Sequence, residues 1–115
     1  LDKAIAIRPD YYKAFANKGF MYSKLKNYPE AIKYYDKALD IHPNYPEAIL
    51  NGVMAKFEVK DYNGVIADYN KFMDINPFIE FETNAIYLLV QQSYEKIGNM
   101  ENARIYKEKA DSYSK

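Results

Sequence analysis

Side chains able to do covalent or metal chemistry are few in this sequence. It has one histidine, His42, and no cysteine among 115 residues. Nucleophilic catalysis needs a hydroxyl or thiol beside a base that a third group orients, and zinc sites draw on Cys thiolates and His imidazoles. With one imidazole and no thiol, the usual constellations of either kind cannot be assembled. His42 falls in the last turn of an apolar helical run, where the helix dipole favours a cation, so its reading is structural. Carboxylates are more plentiful. Asp36 and Asp40 share a helix face, and Glu101 and Glu108 do so more loosely, but such pairs read as solvated surface rather than as an acid and its base. The four glycines are scattered, and none opens a phosphate-cradling loop. No catalytic, cofactor-binding or metal-binding residue is assigned, no cofactor is expected, and the chain reads as a non-enzyme.

Composition narrows the partners further. Hydrophobic residues make up 49% of the chain and charged residues 28%, ordinary for a globular protein with a core. Lys plus Arg balance Asp plus Glu at 16 each, so the formal charge is zero. Nucleic-acid binders carry a basic excess or stripe, and neither is visible, so no nucleic-acid partner is expected. No apolar run approaches the roughly 20 residues of a membrane span, so no membrane insertion is expected and a soluble protein is. The opening residues Leu1-Asp2-Lys3-Ala4-Ile5 are too short an apolar stretch, and too charged, for a signal peptide. They read instead as the end of a helix, which makes the chain a fragment of a longer array. Thirteen Tyr and six Phe, with no Trp, supply the large core side chains.

The elements that position these residues follow a fixed beat. Asn-Tyr-Pro-Glu-Ala occurs at 27–31 and again at 44–48, 17 positions later. Proline suits a first helical turn because its missing N–H would be orphaned there, and the following Glu faces the positive end of the dipole. Asn just upstream is a candidate cap. Pro29-Glu30 and Pro46-Glu47 therefore open helices, and the pentapeptide is punctuation. Helix stops are as regular: Arg8-Pro9, His42-Pro43 and Asn76-Pro77 place prolines 34 positions apart. Ile7, Ile41 and Ile75 keep the same interval, as do Tyr28 with Tyr62, Ile32 with Ile66, and Tyr35 with Tyr69. A period of that length means stacked supersecondary units, and two helices fit within it. Ala31, Tyr35, Ala38, Leu39 and Ile41 form one amphipathic stripe. The pattern predicts a helix tail at 1–8 and helices near 11–25, 29–42, 46–59, 62–76, 80–97 and 100–114. The short turns at Lys26-Asn27, Lys60-Asp61 and Gly98-Asn99 force antiparallel pairs.

These residues resemble the tetratricopeptide repeat, a helix-turn-helix unit of 34 residues. In the first full unit the matching positions are Phe15, Gly19, Tyr22, Tyr28, Ala31, Tyr35, Ala38 and Pro43, with Lys18 where Leu is usual. The second is looser: Ile49 takes the aromatic slot, Gly52 precedes the small slot that Val53 fills, Lys56 replaces Tyr, and Phe72 replaces the second Ala. That bulky Phe should widen the packing against the next helix. The third matches through Tyr87, Val90, Tyr94, Gly98, Ala103 and Ala110, with Gln91 in the small slot and Lys107 in the aromatic one. Its match requires about four extra residues near 78–83, as a longer first helix or an altered joint. The resemblance implies an all-α fold, a right-handed α-α superhelix of stacked antiparallel helix pairs. It divides the chain into the end of a preceding repeat at 1–10 and repeats at 11–44, 45–78 and 79–115.

The same resemblance implies a concave groove, lined by the first helix of each repeat, that holds a peptide or helix of a protein partner. Carried over position by position, the first helix presents Lys13, Ala16, Asn17, Phe20, Ser23 and Lys24. The second presents Glu47, Leu50, Asn51, Met54, Phe57 and Glu58, and the third Ala85, Leu88, Leu89, Gln92 and Glu95. Lys13, Asn17, Phe20, Lys24, Leu50, Asn51, Met54, Phe57, Leu88 and Gln92 are the candidate groove residues. Asn17 and Asn51 fit the family's Asn that hydrogen-bonds a ligand backbone. Relatives that hold acidic chaperone C-termini use Lys, Asn and Arg where this chain has Ala16, Phe20, Ala85 and Leu89. Only Asn51 matches, so an acidic chaperone tail is not expected as the ligand. The expected function is a protein–protein interaction scaffold. Self-association as a homo-oligomer through exposed terminal helices and a regulatory array on a larger enzyme are the alternatives.

Overall fold

Short helices joined by tight turns account for most of the described residues. The structure is a computed structural model that describes residues 11–81 and 83–113. The described residues form six helices and no strand: α1 (Tyr11–Lys24), α2 (Tyr28–Ile41), α3 (Pro46–Glu58), α4 (Tyr62–Ile75), α5 (Ala85–Lys96) and α6 (Met100–Tyr113). The helix tail expected at 1–8, within the partial repeat at 1–10, lies outside the described residues. Consecutive helices pack on one another, and α1 also touches α3 as α3 touches α5. The result is an all-α stack of helix pairs, a solenoid.

Proline occupies the first turn of α2 and of α3, as its φ preference dictates. The Asn caps expected beside those prolines do not form. Asn27 is the N-cap of α2 but its side chain makes no capping bond, and at α3 the N-cap is Tyr45, whose hydroxyl donates to Glu47 at 2.9 Å. Asn44 is drawn off instead by Asn76, whose Nδ2 donates to its Oδ1 at 2.9 Å. That bond ties together the two loops that follow α2 and α4. Side-chain capping appears at the other two hairpins, where Asp61 accepts from the Gly64 amide at 3.0 Å and Asn99 from the Asn102 amide at 3.2 Å.

Each hairpin turns on a residue in the left-handed region: Lys26 at φ 61°, Lys60 at φ 66° and Gly98 at φ 83°. In all three the amide after the turn residue reaches back across the last helical turn, from Asn27 to the Tyr22 carbonyl, Asp61 to Lys56 and Asn99 to Tyr94. This is the Schellman arrangement, which a glycine fits best. A left-handed lysine carries about 1–2 kcal/mol of Cβ strain, of which a glycine returns part as chain entropy. Lys60→Gly should therefore raise stability by about 0.5–1 kcal/mol, read as a higher denaturation midpoint at unchanged slope. An unchanged or lower midpoint would contradict the strain at this turn.

The core begins at Tyr35, which is 1% exposed and wedged between two glycines. A Cβ on Gly19 of α1 would lie 2.8 Å from its Cε1, and one on Gly52 of α3 would lie 3.6 Å from its Cβ. Ala16, Ala31, Ala38, Ala48 and Ala55 complete this layer, so the ring fills a space walled by small residues. Tyr69, 3% exposed, holds the equivalent place one repeat on, among Val53, Val65, Phe72, Val90 and Tyr94. Burial, then the neighbouring Tyr106, pushes the Tyr69 phenol far above its ordinary value.

A second motif recurs on the flank of the first and third helix pairs. In the first pair Tyr34 stacks on Tyr22 at 5.5 Å and on Phe15 at 6.2 Å. In the third, Tyr106 stacks on Tyr94 at 5.7 Å and lies 6.3 Å from Tyr87. Tyr106 thus takes the flank place of Tyr34, while its neighbour Lys107, in the slot of the wedges Tyr35 and Tyr69, is exposed on α6. The middle pair replaces the stacked rings with an ion pair, Lys56 Nζ to Asp68 Oδ2 at 2.5 Å. Lys18, where Leu is usual, lays its ammonium 5.0 Å from the Tyr34 ring, a cation–π contact.

The joint between α4 and α5 departs from the expected helix near 80–97. Helix α5 begins only at Ala85, and residues 77–81 run without helical structure across the face of the stack. Phe81 turns inward, its ring 6.1 Å from Phe72 and 5.6 Å from Tyr87. Its amide donates to the Tyr113 hydroxyl at 3.1 Å, and Asn84 Nδ2 donates to the Ala110 carbonyl at 3.3 Å. The bulky Phe72 is thus accommodated by a segment folded against it, and the end of α6 fastens that segment down.

Candidate interaction groove

Because α1, α3 and α5 each open a helix pair, they line one side of the stack and leave their outward stripe uncovered by α2, α4 and α6. Two recesses are cut into this wall. The first, about 320 Å³, is lined by Phe20, Ser23 and Lys24 of α1, Asn51, Met54 and Glu58 of α3, and Leu89 of α5. Its floor is Tyr35, whose hydroxyl lies 3.4 Å from Ser23 Oγ. The second, about 430 Å³, is bounded by Leu50 and Met54, by Ala85, Ile86 and Leu89, and by Ile79, Glu80, Phe81 and Thr83 of the joint. Met54 and Leu89 line both, so the two recesses form one continuous groove.

Of the candidate residues, Phe20, Lys24, Asn51 and Met54 come together in the first recess, and Leu50 joins Met54 in the second. Lys24 holds its ammonium 4.9 Å from the Phe20 ring. Phe20 and Met54 are 47% and 56% exposed, large apolar side chains held in water on one wall. Lys13, Asn17, Leu88 and Gln92 line neither recess and stand exposed along the same helices. Phe57 is half-buried, packing edge-on against Tyr62 at 5.5 Å and against the second core cluster. The joint residues Ile79, Glu80 and Phe81 were not among the candidates. Their signal was an apolar pair at alternate positions after Pro77, on residues that have no counterpart in the repeat pattern.

A third cleft of about 310 Å³ runs between α2 and α4 on the other side, where Asp36, Asp40 and Asp68 meet Lys71 above Leu39, Ile49 and Phe72. Burial raises the Asp36 carboxyl above its ordinary 3.8; Lys56 pulls it back, and Asp68 and Asp40 push it up again. A carboxyl raised in the folded state binds its proton more tightly there than when unfolded. Its ionisation therefore lowers stability as pH rises through the folded pKa, and the penalty vanishes below the unfolded value. Asp36→Asn should raise the melting temperature at pH 7, and the advantage over the parent should shrink to nothing as pH falls below about 3.8. A variant that melts lower than the parent at pH 7 would show that the carboxylate is stabilised there by Lys56.

Residues 12–45 match the family model of the tetratricopeptide repeat. Among solved structures, MamA AMB-1 is similar in fold, with a TM-score of 0.79 at 18% sequence identity over 98% of this chain. The chain spans 60% of the length of that structure. No curated protein matches the sequence. Among the described residues, no helix is long and apolar enough to cross a membrane.

Proposed function

We propose, from the tetratricopeptide repeat matched at 12–45 and the stack of helix pairs that holds it, that the chain is a fragment of a tetratricopeptide repeat protein and a protein–protein interaction scaffold whose groove holds a peptide or helix of its partner. The observation that carries the reading is the exposure of Phe20 and Met54 on facing helices, above a floor already closed by Tyr35. Apolar side chains grouped on one concave wall, with Asn51, Lys24 and Glu58 at hydrogen-bonding positions around them, have the anatomy of a recognition surface. Repeats of this kind are generally non-catalytic modules, which accords with the scarcity of nucleophile, base and metal ligands in the sequence.

Magnitudes set the expected strength. Covering Phe20, Met54 and Leu50 contributes roughly 1.5–3 kcal/mol each. Association costs at least about 4 kcal/mol before net affinity appears. The surplus from these three side chains is at most about 5 kcal/mol, which corresponds to binding no tighter than a few hundred micromolar, the regime of a scaffold that exchanges partners.

A pulldown with the chain, repeated with Phe20→Glu and Met54→Glu, tests the groove. Each substitution sets a carboxylate on an exposed position, so the fold should persist, with an unchanged helical circular dichroism spectrum. The expected result is loss of the captured partner in both variants. Capture undiminished in both would place the interaction elsewhere on the solenoid.

A further inference from the structure

The second recess exists only because the chain leaves helical geometry between α4 and α5. Its outer wall is Ile79 and Phe81 of that joint, and its inner wall is Leu50, Met54 and Leu89. The wall is preformed. Phe81 is pinned by ring contacts to Phe72 and Tyr87 and by its amide bond to the Tyr113 hydroxyl. Glu80 is the one charged side chain among the described residues lining the recess, and among those residues no hydrogen bond or ion pair engages it. An apolar cleft with one carboxylate at its edge has a chemical preference. Apolar surface takes apolar surface, and the carboxylate favours a cation and disfavours an anion beside it.

Resting on the reading of the groove as the binding face, we propose that this recess is an anchor pocket for a partner segment bearing a large apolar side chain next to a lysine or arginine. Continuity with the first recess through Met54 and Leu89 means that the occupant extends along the groove, as a chain does. The apolar side chain enters between Leu50 and Phe81, and the cation meets Glu80 at the rim. The first recess, with Lys24 and Glu58 both at its edge, carries no such bias in charge. Selectivity therefore resides in the joint, and the groove of the first two helix pairs supplies length and area.

The test uses the whole chain and a library of random peptides displayed on phage. An enriched peptide is synthesised with a fluorescent label and titrated by anisotropy. Enriched sequences should share Leu, Ile, Met or Phe adjacent to Lys or Arg. Ala85→Trp, which sets an indole at the mouth of the recess, should weaken binding by at least about ten-fold. Glu80→Lys should weaken it by about five- to ten-fold at low salt, with the difference shrinking as salt rises. Met21→Ser, at an exposed position that lines neither recess, should leave the affinity unchanged. Binding that is lost on Phe20→Glu but unmoved by Ala85→Trp and Glu80→Lys would overturn the anchor pocket and leave the groove reading standing. Binding indifferent to all of these variants would overturn both. Enrichment without the apolar–cation pair, or no enrichment, overturns the pocket. So does light scattering that shows a self-associated chain dissociating on Ala85→Trp, since the occupant would then be a second copy.

Discussion

Tyr35→Ala should cost about 3–5 kcal/mol, the loss measured when large buried aromatics are truncated. Against a total stability of roughly 5–15 kcal/mol, that lowers the melting temperature by roughly 10–20 °C and leaves the folded state marginal. The size of the effect follows from the surroundings. The ring stands between Gly19 and Gly52, so the positions that face it on the two neighbouring helices carry no side chain to fill the space it vacates. The alanines around it are equally unable to move inward. A companion substitution separates this packing argument from simple loss of area. Gly19→Ala alone sets a methyl 2.8 and 2.9 Å from two Tyr35 ring carbons and 3.1 Å from the Ala31 carbonyl oxygen. Overpacking of that kind costs about 1–3 kcal/mol, even though alanine is the better helix former by about 1 kcal/mol. With Tyr35 already truncated the ring clash is gone, so Gly19→Ala should become neutral or stabilising. A double-mutant cycle should therefore give a coupling of about 1–3 kcal/mol between the two sites. Additive losses would mean that the two residues do not touch as described.

Much of this layer was legible in the sequence because a repeat states its own register. Tyr35 and Tyr69, 34 positions apart, mark the wedge sites without any contact being known. The small residue at Gly19 marks the helix that the ring must meet. Helix ends at His42 and Asn76 were equally plain, since each precedes a proline that stops the helix. Other features were hidden by residue type. Lys26 and Lys60 occupy left-handed turns that glycine or asparagine ordinarily announces, so lysine there gives no signal, whereas Gly98 does. Asn27 and Asn44 are good caps by type, yet neither caps through its side chain, because Asn44 is bonded to Asn76 from another loop. The resemblance put an aromatic slot at Lys107, but that position is exposed, and Tyr106 one position earlier takes the flank place that Tyr34 holds in the first pair.

The groove shows the same division. Phe20, Asn51 and Met54 fall on the inner wall because their helices keep the family register, and position alone carried them there. Phe57 has the same warrant but packs against Tyr62 and the core, because the turn after α3 brings that ring within reach. The joint was visible only as a surplus of residues. A fourth turn of helix and an extended crossing both absorb such a surplus, and the choice between them is made by a tertiary contact. Pro77 bars continuation of α4, and the apolar Ile79 and Phe81 then find burial against Phe72 sooner than a new helix starts.

Phe72→Ala tests that account and carries the second large effect. Phe72 is fully buried, occupies a position where the repeat pattern has alanine, and meets Phe81 across the joint. If the joint were an independent loop, restoring alanine would merely return the helix to its usual packing, and the change would cost little. The contacts predict otherwise. Ile79 and Phe81 both pack against the cluster that holds Phe72, so its removal leaves a cavity that the joint alone borders on one side. The expected loss is about 3–5 kcal/mol, in line with other buried Phe truncations. A second, independent readout is local. Amide exchange at Phe81, whose N–H is held by the Tyr113 hydroxyl, should accelerate in the variant by more than exchange at Tyr35 in the first layer. Tyr113→Phe, which deletes the hydroxyl that accepts from Phe81 and bonds Tyr87, should accelerate the Phe81 amide while leaving the melting temperature within a few degrees of the parent. Uniform acceleration at both amides in Phe72→Ala would show global destabilisation only. Acceleration confined to the Phe81 region would show that a single bulky side chain of α4 holds the joint, and with it the outer wall of the groove, in place.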